Sequence, residues 1–166
     1  MSQSPLVHEL ISLPGNPGLA GLGAVVEGVA ADDVGAVAHI AQAEQVDLVV
    51  VGPEAPLAAG IVDALESKGI AAFGPSKAAA RLEGSKKFAK EIMDRSGVAT
   101  AAWQTFTEKE AAMAYLAETT GPYVVKADGL AAGKGVLVTD DLAEAGAWVE
   151  RCLDGGFGQA GTTVII

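Results

Sequence analysis

The 166 residues suffice for one ordinary domain or two small lobes, and half of them are hydrophobic. The net charge of −10 excludes a polyanion-binding protein of the usual basic kind, because such binding needs clustered Lys and Arg to displace counterions. A single cysteine, Cys152, excludes an intrachain disulfide and a cysteine-built zinc site. Aromatics make up only 5%, so the core is expected to be built from Val, Leu, Ile and Ala, which suits parallel strands covered by helices.

Strand and helix signals alternate along the chain. His8 to Leu13 reads as a short strand ending at the turn cluster Pro14-Gly15-Asn16-Pro17-Gly18. Val25-Val26 reads as a strand fragment in a Gly-rich stretch. Val34, Val37, Ala38 and Ala41 then mark one helix face, with Asp32 or Asp33 as cap. Val46 to Val51 reads as a buried strand, too short and too interrupted to cross a bilayer. The turn Gly52-Pro53-Glu54-Ala55-Pro56 leads into a helix carrying Ala58, Ile61, Val62 and Leu65, with Gly69 as its stop.

Ile70 to Phe73 is a further strand, closed by Gly74-Pro75-Ser76. Helical signal resumes to about Ser96, with a break near Gly84. Trp103 to Phe106 reads as a strand, and Thr107 with Glu110 as a capping box for the next helix, which Gly121-Pro122 ends. Tyr123 to Lys126 and Val136 to Thr139 are strands around a Gly-rich loop. Asp140 opens a helix through Leu142, Ala145, Val149 and Leu153, and Thr162 to Ile166 begins another strand. The pattern predicts an α/β chain: a parallel sheet to about Gly74, then an α+β part, with the seam between Ser76 and Gly97. The apolar run Val164-Ile165-Ile166 reads as a chain cut in mid-strand.

The segment richest in chemistry is Lys126-Ala127-Asp128-Gly129-Leu130-Ala131-Ala132-Gly133-Lys134-Gly135. Glycine lets backbone amides approach a phosphate, successive amides form an anion nest, and lysines add compact positive charge. It is not a Walker loop: three residues, not four, separate Gly129 from Gly133, and Gly135 stands where a Ser or Thr would hold magnesium. Composition alone fits both a phosphate cradle and an ordinary hairpin with solvated lysines. The turn Gly52 to Leu57 follows a strand's C-terminal end, where open α/β sheets bind ligands. There Pro56 suits the first helical position and Glu54 could accept from hydroxyls or an ammonium group, while a plain βα turn needs the same residues. Lys86 and Lys87 fit either a phosphate contact or a solvated helix face. His8 and His39 are isolated, and Cys152 reads as a packing residue. Gly21-Leu22-Gly23 lacks the third glycine of a dinucleotide fingerprint.

Taken together, the turns Pro14 to Gly18 and Gly52 to Leu57, the segments Phe73 to Ser76 and Leu82 to Lys86, and the loop Lys126 to Val136 resemble the phosphoribosylamine–glycine ligases. These are ATP-grasp enzymes that join glycine to phosphoribosylamine in purine synthesis. The resemblance implies a Rossmann-like, parallel-sheet pre-ATP-grasp lobe over residues 1–82 and the α+β N-terminal part of an ATP-grasp domain over 83–166. It implies ATP contacts at Lys86, Lys126, Asp128, Gly129, Leu130, Ala131, Ala132, Gly133, Lys134 and Gly135. For phosphoribosylamine it implies contacts at Gly52, Pro53, Glu54, Ala55, Pro56 and Leu57.

It further implies a cytoplasmic, monomeric complete enzyme that uses ATP with Mg2+ or Mn2+ and small-molecule substrates, with neither nucleic acid nor membrane as partner. The family's opening Gly-rich strand, adenine-gripping hinge and metal-binding Glu and Asn have no counterpart here, so no metal ligand and no catalytic residue is assigned in this chain, and the chain alone is expected to lack ligase activity. Two other readings remain: a different ATP-grasp carboxylate–amine ligase related to biotin carboxylase or carbamoyl-phosphate synthase, and a non-catalytic nucleotide-binding module.

Overall fold

The structure is a computed structural model that describes residues 1–131 and 133–166. It divides into two compact units, Met1–Ala80 and Arg81–Ile166.

In the first unit, β1 (Ile11–Ser12) pairs in parallel with β2 (Ala24–Val25), and β3 (Leu48–Val50) pairs in parallel with β4 (Ala71–Phe73). Helix α1 (Val34–Ala43) starts at Asp33, whose carboxylate accepts the Ala36 N–H at 3.0 Å. The single helix expected after the Gly52 turn is two short ones, α2 (Glu54–Ala59) and α3 (Ile61–Glu66). Gly60 between them has φ of 100°, a left-handed conformation that stops one helix and starts the next. Ala38, Ala41, Ile61, Val62, Leu65 and Ile70 form the core of this unit.

The expectation that Val46 to Val51 is a buried strand needs correction. Leu48 is 49% exposed and Val50 44% exposed. Leu48 and Val50 share one face of the β3–β4 pair with Ala71 and Phe73, and that face stays open, while Val49 and Ala72 on the other face pack against the core. The apolar side chains that mark a buried parallel strand in sequence are here half-covered.

The second unit is built on a four-stranded sheet of order β5-β8-β6-β7, with all neighbours antiparallel. The strands are β5 (Thr105–Phe106), β6 (Tyr123–Ala127), β7 (Val136–Thr139) and β8 (Val164–Ile165). Helix α4 (Lys77–Gly84) spans the division between units and is followed by α5 (Lys86–Arg95), so the expected break falls at Ser85, which caps α5. Helices α6 (Lys109–Glu118) and α7 (Leu142–Arg151) cover one face of the sheet. They approach closely at Gly146, where a Cβ would lie 2.7 Å from Met113 Cε. The expected capping box does not form: α6 starts one residue later, with Glu108 as N-cap and no side-chain cap bond. Asp141, rather than Asp140, caps α7, accepting the Ala143 and Glu144 amides.

The core of this unit comprises Phe106, Ala112, Leu116, Val125, Ala127, Ala145, Val149, Cys152 and Val164. Cys152 is fully buried, and burial pushes its thiol up to about 11. The reactive thiolate is then roughly a thousandth of the total at pH 8. Native protein is therefore expected to resist a thiol reagent at pH 8, with labelling following unfolding; rapid stoichiometric labelling without denaturant would contradict the packing.

Candidate functional site

Each unit presents one place where sequence and geometry suggest chemistry. In the first unit a cavity of about 210 Å3 lies beyond the C-terminal end of β3. Gly52, Pro53 and Pro56 line it, together with Leu13 and Pro14 from the end of β1. Leu57 packs against this unit's core, while Glu54 and Ala55 are exposed. Pro56 is not the first helical residue: α2 begins at Glu54 with Pro53 as N-cap. A proline fits equally well at the third position, because the first-turn amides lack intrahelical acceptors. Gly74 passes close to this turn: a Cβ would meet Leu57 Cδ2 at 2.7 Å and Val62 Cγ2 at 3.2 Å, so those side chains would have to shift.

The second place is the loop between β6 and β7. The register Lys126↔Val136 and Val124↔Val138 makes these two strands the legs of a hairpin, closed by the Ala127 N–H on the Gly135 carbonyl at 2.8 Å. Side chains alternate across the sheet, so Val125 and Ala127 enter the core while Val124 and Lys126 share the opposite face with Val136 and Val138. That face is open: Val136 is 42% and Val138 65% exposed. Lys126 thus stands on an apolar surface at the base of the loop.

The base of the loop is fastened on several sides. Asp128 donates its N–H to the Thr163 carbonyl at 3.0 Å, and Gly129 donates to the Ala160 carbonyl at 3.2 Å. A Cβ on Gly129 would stand 2.8 Å from Ala160 Cα, so only glycine fits. Gly135 is buried, and its Cβ would meet Ala131 Cβ at 2.7 Å. Between them, Lys134 donates its N–H to the Ala131 carbonyl at 2.9 Å, and Gly133 holds φ of 76°. Leu130 and Lys134 are exposed. Ala132, named with this loop from the sequence, lies outside the described residues.

Helix α5 brings Lys86 to the same base. Its ammonium donates to the carbonyls of Gly129 at 3.0 Å and Asp128 at 3.3 Å, and its own N–H donates to the Asp128 carbonyl at 3.2 Å. Burial pulls the Lys86 ammonium below the ordinary lysine range; Asp128 opposes this, Lys126 adds to it and Glu83 opposes it. Lys87, the other lysine of the pair, points to solvent. The Asp128 carboxylate accepts the Lys87 N–H at 2.7 Å and the Ser85 hydroxyl at 3.0 Å.

Ser85, Ala160 and Thr163 were not singled out from the sequence. Ser85 carried a readable signal, a hydroxyl just ahead of a helix. Ala160 and Thr163 act through backbone carbonyls, which no side-chain pattern announces. Among the described residues no group of three or more His, Cys, Asp or Glu side chains gathers as a metal cage requires. None of their helices is long and apolar enough to cross a membrane.

Comparison with known proteins follows the same division. The family model "Phosphoribosylglycinamide synthetase, N domain" matches residues 1–83, and "Phosphoribosylglycinamide synthetase, ATP-grasp (A) domain" matches residues 84–166. The chain is 51% identical to the phosphoribosylamine–glycine ligase of Allochromatium vinosum, over 99% of this chain and 39% of that protein. It is 52% identical to that of Pasteurella multocida, over 100% of this chain and 39% of that protein. The chain therefore spans about two fifths of the length of these relatives. Among solved structures, the phosphoribosylamine–glycine ligase of Thermotoga maritima matches 95% of this chain and 37% of its own, with TM-score 0.74 and 28% identity. The biotin carboxylase domain of the Hydrogenobacter thermophilus 2-oxoglutarate carboxylase, in complex with MgADP, ADP and bicarbonate, matches 86% of this chain and 33% of its own. Its TM-score of 0.70 at 22% identity indicates a shared fold.

Proposed function

The chain belongs to the phosphoribosylglycinamide synthetase family, and from that premise we propose that it carries the nucleotide-phosphate grip of a ligase joining glycine to phosphoribosylamine at the expense of ATP. The observation that carries this reading is the β6–β7 loop: a glycine turn fastened at its base, with two lysines converging there. Leu130, Ala131, Gly133 and Gly135 would present amides and Lys134 its ammonium to phosphate oxygens, while the amides of Gly129 and Lys134 stay on their carbonyls and hold the turn in shape. Lys86 and Lys126 would add charge from the base. The apolar face of Val124, Val136 and Val138 beside Lys126 suits a nucleobase, which has a flat apolar face of its own.

A carboxylate is a poor electrophile. In the proposed reaction ATP converts the carboxylate of glycine to an acyl phosphate, and the amine of phosphoribosylamine then displaces phosphate. What these residues contribute is position and preorganised positive charge along the phosphates. The divalent metal that an ATP-grasp ligase implies finds no cage among the described residues. The cavity beyond β3 is the proposed place for phosphoribosylamine, with Gly52, Pro53 and Pro56 in its wall and Glu54, Ala55 and Leu57 in the adjoining turn. In this reading the whole protein works in the cytoplasm on small molecules and as a monomer. Identity of about half along the whole chain to phosphoribosylamine–glycine ligases favours this reading over a biotin-carboxylase-like one.

Calorimetry with magnesium-ATP tests the grip. The 166-residue chain is expected to bind ATP saturably in the millimolar range or better. Lys86→Ala is expected to weaken that binding at least tenfold, about 1.4 kcal/mol. Absence of any heat or competition at millimolar ATP would defeat the reading.

A further inference from the structure

We propose that Asp128 is a positioning residue: its carboxylate clasps the first turn of α5 and so holds the Lys86 ammonium at the base of the loop. Asp128 then serves phosphate through Lys86, not by touching nucleotide itself. The inference rests on the ATP reading above for the identity of the ligand, while the clasp stands on geometry alone.

An anionic side chain beside a triphosphate is unfavourable unless it is turned away and its charge is matched. Asp128 meets both conditions. Its Oδ1 accepts the Lys87 N–H at 2.7 Å, and the Ser85 hydroxyl donates toward Oδ2 at 3.0 Å and Oδ1 at 3.2 Å. The same Ser85 oxygen accepts the Phe88 N–H at 3.1 Å. Ser85 and Asp128 together therefore satisfy two amides of the first turn of a ten-residue helix, where the helix dipole also favours a negative charge. The backbone carbonyl of Asp128 completes the clasp by accepting the N–H and the ammonium of Lys86, at 3.2 Å and 3.3 Å.

The consequence falls on Lys86. A lysine on an exposed helix start keeps its ammonium in water. Here the clasp fixes the backbone of Lys86 against the loop, so the side chain has only to reach two carbonyls next to its own amide. Burial and Lys126 both act against the charge on Lys86, while Asp128 and Glu83 are the charges that sustain it. Asp128 is the stronger of those two and the one bonded to its helix turn. Removing Asp128 should therefore loosen the turn and let Lys86 lose its proton at lower pH.

The test uses Asp128→Ala and Asp128→Asn in the 166-residue chain, first without nucleotide. The Lys86 titration is followed by NMR of lysine labelled at 13Cε, and the Lys87 and Phe88 amides by hydrogen exchange. Asp128→Ala is expected to lower the Lys86 midpoint and to speed exchange of both amides at least tenfold. Asp128→Asn keeps an acceptor, so it is expected to lower the midpoint while keeping the amides protected. Magnesium-ATP affinity is then measured in a double-mutant cycle with Lys86→Ala. Asp128→Ala is expected to cost at least tenfold when Lys86 is present and under twofold when it is absent.

An unchanged Lys86 midpoint in the Asn variant would overturn the proposal, as would an equal ATP loss with and without Lys86. If Asp128→Ala does not fold, the Asn midpoint still decides. A wild-type chain that binds no ATP would sink the functional reading, while the nucleotide-free measurements would still judge the clasp.

Discussion

Gly129→Ala is expected to weaken magnesium-ATP binding at least tenfold, about 1.4 kcal/mol, while the chain stays folded. The added methyl would stand 2.8 Å from Ala160 Cα and 2.9 Å from Ala160 Cβ. Backbone cannot swing aside as the end of a long side chain can, so the loop base must move off Ala160. That movement breaks the Gly129 N–H bond to the Ala160 carbonyl and displaces the Gly129 carbonyl that Lys86 binds. The grip thus loses its backbone position and its lysine together. Gly84→Ala is the matched control: it lies just before α5, and a Cβ there meets nothing within 4 Å. Its affinity should stay within a factor of two. Wild-type affinity in Gly129→Ala would show that the close packing against Ala160 is not needed for binding.

Leu116→Ala is expected to cost about 3 kcal/mol of stability and to lower the melting temperature by on the order of 10 °C. Leu116 lies fully buried on α6, in a cluster with Phe106, Val125, Val149 and Val164 drawn from helix and sheet alike. With only 5% aromatics in the chain, few large side chains stand ready to refill the space, so the cavity term adds to the transfer term. Leu116→Met, close in volume, should cost under about 1.5 kcal/mol. Leu142→Ala, at a residue 43% exposed at the start of α7, should fall well below Leu116→Ala. Thermal and urea denaturation measure all three. A loss below about 1 kcal/mol for Leu116→Ala would mean that the cluster collapses onto the site far better than its packing indicates.

Much of the fold was readable because helix faces and turn residues leave local marks. The spacing of Val34, Val37, Ala38 and Ala41 located α1, and glycine located the breaks around Ser85 and after Glu66. The hairpin of β6 and β7 was readable from two β-rich runs about one glycine loop. What misled were features decided by neighbours far along the chain. Val46 to Val51 reads as buried because it is apolar, yet burial depends on what packs on each face of the strand, and the face of Leu48 and Val50 stays open while that of Val49 meets the core. Thr107 and Glu110 have capping-box spacing, but the chain leaving β5 enters α6 one residue too late to use it. The break at Gly60 was legible as a glycine but not as a helix boundary, since an isolated glycine is also tolerated inside a helix.

The candidate site divides in the same way. The loop glycines and Lys126 stood out because their chemistry is local. For Lys86 the residues alone favoured a solvated helix face over a phosphate contact, because its setting comes from residues about forty positions away in Asp128 and Gly129. The role of Asp128 itself was the least legible. A carboxylate inside a glycine-rich, lysine-flanked loop reads as part of the ligand contact, and its bonds to Ser85 and the Lys87 amide are what the proposed positioning role rests on.

The half-covered pair of β3 and β4 bears on how the protein behaves in a tube. Leu48, Val50 and Phe73 put an apolar face of the β3–β4 pair in water, and such a face attracts other apolar surfaces. No charged side chain interrupts that face at Leu48, Val50, Ala71 or Phe73. The surplus of acidic side chains over the whole molecule is then the main deterrent to clumping. Because ions shorten that repulsion to about 10 Å at 0.1 M and about 3 Å at 1 M, concentrated salt takes away the deterrent and leaves the apolar face unopposed.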